Sequence, residues 1–169
     1  MCAFSSAVVT VGLARAGTVR YCPRAPAGPE LHEEEPVSQL SPEDRLAIHE
    51  VLAAYCHAID FGRWDNFPSL FTDDCRLDFG SVMGVFEGRD GIARFVDMMR
   101  GLGLLMRHYT TNVVVSGDGG RARAESYVLA VTGPPGSSHQ TTGRYEDELV
   151  KRDGRWHLRV RRALLDTPA

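Results

Sequence analysis

The chain has 169 residues, of which 43% are hydrophobic and 24% charged, and its formal net charge is −3. That length suits one domain with a substantial core, and the composition excludes wholesale disorder and a bundle of membrane spans. The acidic balance argues against a general nucleic-acid binder: the late basic residues Arg155, Arg159, Arg161 and Arg162 interleave with Trp156, Leu158 and Val160, and read as the solvent face of a strand.

Residues 1–38 are rich in Ala, Gly, Pro and Arg, lack sustained periodicity, and end in Glu33-Glu34-Glu35 before Pro36. They read as a disordered N-terminal extension, with Val37 a candidate alternative start. The apolar run from Ala7 to Ala14 lacks the basic flank of a secretion signal and is too short to span a bilayer. Cys2, Cys22, Cys56 and Cys75 form no Cys-x-x-Cys pair, so a reducing cytoplasm is the default and no structural zinc is expected.

The domain is expected over residues 39–166. Ser41 is a helix cap, Pro42 fits the first helical position, and Asp44 stands where a capping box places an acid. Ile48, Leu52, Tyr55 and Ile59 then recur at helical spacing, to about Phe61, with a stop at Gly62. A second, short helix is expected around Trp64, Phe67, Leu70 and Phe71. Strands follow at Asp74–Phe79 and Val82–Phe86, and a third helix buries Ile92, Phe95, Val96 and Met99 before Gly101 and Gly103.

From Met106 onward the pattern is strands: Arg107–Ser116, a turn at Gly117-Asp118-Gly119-Gly120, Arg121–Thr132, a Gly/Pro/Ser loop, Gln140–Arg152, and Arg155–Leu165 after Asp153-Gly154. Helices followed by an antiparallel meander make an α+β fold, with helices packed on one face of a curved sheet that can enclose an apolar cavity.

His108 lies in a strand that can aim its imidazole inward, and Asp60 closes the first helix. A His–carboxylate pair is a usual way to make a proton-transfer base near neutral pH; a hydrogen-bonded core histidine is the plainer alternative. A helix C-terminus disfavours a carboxylate, so Asp60 needs a partner, either Arg63 or His108. Tyr55 is either core or the holder of a substrate carbonyl oxygen. Asn112 shares the His108 face under strict alternation, and Tyr127 and Tyr145 read as core or pocket wall. His57, Asp60 and His108 imitate a two-histidine, one-carboxylate metal site, but nothing else in the sequence supports a metal.

The run Tyr55 to Asp65, Leu70-Phe71-Thr72-Asp73-Asp74, Phe86 to Ile92, His108 with Asn112, and Asp153-Gly154-Arg155-Trp156 resembles the SnoaL-like polyketide cyclase branch of the nuclear transport factor 2-like superfamily over residues 40–165. The resemblance implies a cone-shaped α+β barrel, often dimeric through its sheet, hosting dehydratases, isomerases, cyclases and binding modules. It is similar to the dehydratase-like members, scytalone dehydratase and bile acid 7α-dehydratase, in which an Asp ending the first helix supports a strand histidine; Asp60 and His108 match those positions, and Tyr55 matches a first-helix tyrosine. Phe79 falls where the isomerases carry a catalytic aspartate. No titratable side chain occupies Ala130 to Gly133, where those dehydratases carry a further acid or histidine, and His139 is the candidate substitute.

Two functions are therefore open. One is a cofactor-independent lyase or isomerase for a small hydrophobic oxygenated ring compound, using His108, Asp60 and Tyr55, with Phe79, Met83, Phe95, Met99, Leu129, Asn112 and His139 binding substrate. The other is a non-catalytic binding or assembly module, such as an oxygenase small subunit. A homodimer is expected, with no cofactor, metal, nucleic-acid or membrane partner.

Overall fold

A computed structural model describes residues 39–134 and 138–166. The expected extension over residues 1–38 and the centre of the Gly/Pro/Ser loop lie outside the described residues.

Helix α1 runs Pro42–Asp60. Ser41 caps it by accepting the Asp44 amide at 3.0 Å. The Asp44 carboxylate does not return to the cap as a capping box requires; it accepts Lys151 Nζ at 2.7 Å and the Trp156 indole at 2.8 Å, tying the start of α1 to the last hairpin. The helix stops as expected: Phe61 caps it, and Gly62 takes a left-handed φ of 64°. A 3-10 turn, Phe67–Leu70, carries Pro68 in its first turn.

Strand β1, Phe71–Asp78, begins three residues earlier than the sequence suggests. The expected strand over Val82–Phe86 is instead a helical turn α2, Gly80–Met83, followed by a short β2, Val85–Glu87. Gly80 and Gly84, both at positive φ, bend the chain there, and Asp78 Oδ1 accepts the Gly80 amide at 2.8 Å. Helix α3, Gly88–Leu102, buries Ile92, Phe95, Val96 and Met99 as its periodicity predicts, and ends on left-handed Gly103.

The long strands are β3 (Leu105–Gly117), β4 (Arg121–Gly133), β5 (His139–Arg152) and β6 (Arg155–Leu165). One curved, open sheet results, in the order β2-β1-β6-β5-β4-β3, antiparallel throughout except where β1 lies parallel to β6. The α+β class is as expected. Helices α1 and α3 cover one face, and the core fills the layer between. Phe95 is its hub, stacked on Phe67 at 5.5 Å and Phe79 at 5.6 Å and edge-on to Phe86 at 5.3 Å. Among the described residues no helix is long and apolar enough to cross a membrane.

The sheet breaks its alternation twice. On β3, Thr111 pairs with Tyr127 and Val114 with Glu125, so Asn112 and Val113 together oppose Ser126. Asn112, at φ 54°, is the bulge residue. On β6, Leu158 pairs with Leu149 and Val160 with Glu148, leaving Arg159 extra. Each bulge turns the following residues over, with consequences described below.

Gly91 opens α3 against the backbone of Phe86: an added Cβ would lie 2.7 Å from the Phe86 carbonyl carbon. Gly91→Ala is expected to lower stability by about 1–3 kcal/mol through overpacking, read as a reduced urea midpoint at unchanged slope.

Candidate active site on the inner face

Asp60 ends α1 at the point where the helix crosses β3. The ring Nδ1 of His108 donates to Asp60 Oδ1 at 2.6 Å, and the His108 backbone amide donates to Oδ2 at 2.8 Å. Both side chains are largely buried, at 10% exposed for His108 and 5% for Asp60. Burial pushes the Asp60 carboxyl up, but the two hydrogen bonds and the charges of His108 and Arg107 outweigh it and hold the group below the usual carboxylate range. An ionised Asp60 takes the hydrogen on Nδ1, which leaves Nε2 as the ring nitrogen that exchanges a proton. Nε2 has no hydrogen-bond partner among the described residues.

The alternative pairing of Asp60 with Arg63 does not form. Arg63 stacks on the Phe61 ring at 5.2 Å, and Arg107 caps the helix end by donating to the Asp60 carbonyl at 3.0 Å. One helical turn back and two strand residues on, Cys56 Sγ and Thr110 Oγ1 meet at 3.4 Å, a second cross-link between α1 and β3 beside the dyad. Along this stretch Thr110, Ala130 and Thr141 are half-buried on the dyad's face of the sheet.

The other candidates divide. Phe79, Phe95 and Met99 are buried on the helix side of the sheet, and Met83 packs against them. Tyr55 is 1% exposed, enclosed by Phe67, Phe71, Tyr145 and the Arg161 guanidinium, and burial pushes its phenol up. No hydrogen bond joins it to the dyad. Asn112 departs from the expectation: the bulge leaves it exposed and hands the inward positions to Val113 and Val115. Leu129 also departs from it, since β4 turns Ala124, Ser126 and Val128 inward and Leu129 outward, where it lines an outer cleft of about 480 Å³ with Tyr109 and Tyr127. Tyr127, expected in the core or pocket wall, is 59% exposed on that outer face. His139 opens β5, exposed and opposite Thr132. His57 is exposed and edge-on to Phe61. Two further clefts, about 740 and 210 Å³, lie along the charged end of the sheet; neither they nor the outer cleft are lined by Tyr55, Asp60 or His108.

Arg161 is a further residue that sequence reasoning misplaced. The β6 bulge turns it inward, away from the solvent row of Arg155, Arg159 and Arg162, and it is buried against Asp147. Strict alternation puts only one of the adjacent Arg161 and Arg162 on the solvent face, and the extra residue on β6 decides that Arg161 is the one turned inward.

The SnoaL-like domain pattern matches residues 41–162, well over half of the chain. The chain belongs to the SnoaL-like family. An uncharacterised protein of Mycobacterium tuberculosis (strain H37Rv) is 25% identical over 118 residues, spanning 68% of this chain and 80% of that one. Among solved structures, a protein of Novosphingobium aromaticivorans provisionally described as an aromatic ring hydroxylase superposes with a TM-score of 0.67 at 28% identity, covering 77% of this chain and 94% of its own. Another from the same organism, provisionally described as a scytalone dehydratase, gives 0.66 at 22% identity, covering 74% and 85%. A Nostoc punctiforme protein of unknown function with a cystatin-like fold gives 0.67 at 23% identity, covering 76% and 95%.

The depressed Asp60 carboxyl contributes stability that is present above its unfolded pKa and is lost as pH falls through the folded value. Asp60→Asn is expected to cost about 1–3 kcal/mol near neutrality and to flatten the loss of stability between about pH 5 and 2. Urea titrations of both proteins across that range check it.

Proposed function

We propose that this protein is a cofactor-independent lyase or isomerase, dehydratase- or cyclase-like, acting on a small hydrophobic oxygenated ring compound. The observation that carries the reading is the Asp60–His108 pair, with the carboxylate on Nδ1 and Nε2 free. In this reading Nε2 takes a proton from the carbon beside a ring carbonyl, Asp60 stabilises the imidazolium that forms, and His108 returns the proton to a departing hydroxyl or to another carbon of the enolate. Phe79, Phe95 and Met99 supply the apolar wall. Tyr55 enters as the ring on which Arg161 rests. Family membership and the likeness to a protein described as a scytalone dehydratase support this chemistry.

Incubating the protein with a panel of ring ketones in D₂O and following loss of α-proton signals by NMR tests the reaction. Exchange is expected in the wild type, with His108→Ala slower by about 10²- to 10⁴-fold. An unchanged rate in His108→Ala would falsify the mechanism.

A second reading, a non-catalytic binding or assembly module of the oxygenase small-subunit kind, draws on the likeness to the protein described as an aromatic ring hydroxylase. Under that reading no ketone exchanges in wild type or variant, while ring compounds still bind.

For either activity we read the outer sheet face as a homodimer interface. Tyr109, Val114, Tyr127 and Leu164 are exposed there, beside a mixed-sign ladder of Arg144, Glu146, Glu148, Arg159 and Arg162, which a twofold axis can set against itself. Tyr127→Glu is expected to convert dimer to monomer in light scattering; a wild-type monomer overturns it. The free buried thiols Cys56 and Cys75 suit the cytoplasmic location expected from the sequence.

A further inference from the structure

The outer face of the sheet carries a cavity that the proposed reaction does not use. It measures about 480 Å³ and lies over β3, β4 and β5. Small-molecule sites span roughly 300–1,000 Å³, so the cleft is large enough for a ligand. Register lays out its walls. Tyr109 pairs with Leu129 and Leu129 with Thr142, while Thr111 pairs with Tyr127 and Tyr127 with Arg144. Two rows of side chains therefore cross the cleft, with the tyrosines at diagonal positions.

The tyrosines are the first sign of a ligand. Tyr109 is 55% and Tyr127 59% exposed. Tyr145 on the other face packs against Tyr55, whereas neither outer ring contacts another aromatic side chain among the described residues. Diagonal neighbours across antiparallel strands stand about 7–8 Å apart. A flat ring needs about 3.5–4 Å on each side for van der Waals contact. The pair is thus spaced to hold one planar ring beside Leu129.

The charges are the second sign. Arg144 donates Nε to Glu146 at 3.2 Å, and its terminal nitrogens have no hydrogen-bond partner among the described residues. Glu146 divides its two oxygens between Arg144 and Arg162, so neither guanidinium is fully met. Asp166, beside the row of Tyr109, accepts the Thr142 hydroxyl at 2.8 Å. Its charge turns an anion away from that row and toward Arg144.

We infer that this cleft binds a planar aromatic carboxylate, its ring between Tyr109 and Tyr127 and its carboxylate on the free edge of Arg144. A guanidinium edge presents parallel donors, which a carboxylate meets with two acceptors and a carboxamide with one. A saturated ring is too thick for the gap. The site is separate from the dyad, since neither Asp60 nor His108 lines it. The homodimer read above buries the same tyrosines, so ligand and second copy compete for them.

The test measures binding of cinnamate, of its amide cinnamamide and of the saturated 3-cyclohexylpropanoate by calorimetry, and follows the tyrosine ring protons by NMR. Cinnamate is expected to bind about tenfold more tightly than either analogue, with ring-current shifts at Tyr109 and Tyr127. Arg144→Gln is expected to remove the preference for acid over amide and leave amide affinity unchanged. Tyr109→Ala is expected to weaken cinnamate roughly three- to tenfold, and Tyr109→Phe to restore it. His108→Ala is expected to bind as the wild type does, which separates failure of this site from failure of the acid–base mechanism. Affinity that stays level or falls as protein concentration rises supports a cleft within one chain. Affinity that rises places the ligand between copies and overturns the proposal, as do equal binding of the three compounds, no binding of cinnamate, or shifts confined to the other tyrosines.

Discussion

A cation sealed in a protein interior has to be met from every side, and Arg161 imposes that requirement on three elements at once. Its carboxylate partner comes from β5, its aromatic covers from α1 and β5, and its own backbone from β6. Loss of any one of these leaves charge exposed to an apolar medium, which is far less favourable than the intact cluster. The face of α1 that bears Tyr55 is thereby fixed against the sheet. With the helix held there, the next residue and one a turn further along have little choice of partner: Cys56 meets Thr110, and Asp60 meets His108. The geometry of the dyad is thus set partly by packing some distance from it.

The two faces of the sheet have contrasting chemistry. Inward positions of β3 to β6 carry small, aliphatic, aromatic and buried ionic side chains, with α1 packed over β3 and β6. Outward positions carry exposed tyrosines at the dyad's end of the sheet and interleaved arginines and glutamates at the other. An alternating strand can serve both because each residue belongs to only one face. Asp60 and His108 belong to the inner one, and they are the only His–carboxylate pair in hydrogen-bond contact among the described residues.

The helices were legible because their signals are local and redundant: Ser41 with Pro42 at one end of α1, Gly62 at the other, and a four-residue apolar stripe on α3. The long strands and their turns were legible for the same reason. The pairing of Asp60 with His108 was reachable as well, since a carboxylate at a helix C-terminus demands a partner and the chain order supplies few. Asn112 and Arg161 were not readable in this way. Each sits at or just after a β-bulge, and a bulge is a property of two paired strands, which a single strand's sequence does not display. Leu129 and Tyr127 were misjudged differently, because an apolar side chain on a strand says that one face is apolar without saying which. The Gly80–Gly84 turn replaced the start of an expected strand because two positive-φ glycines outweighed the β-branched Val82 between them.

The parallel pairing of β1 with β6 has a bearing on how the chain is made. β1 and the helices around it are synthesised early, yet the neighbour that completes β1 on its inner side is the last strand of the sheet. During translation, β1, β2 and α3 can gather as a local unit, but one edge of β1 stays unpaired, and Phe71 and Leu77 lack their final cover, until β6 has left the ribosome. Such long-range closure slows folding and prolongs the time for which an open strand edge is available to other chains. The same last strand delivers Arg161 and Trp156, so the cation cluster and the Asp44 tie are completed in one late event, and the inner face takes its working shape only when the sheet closes.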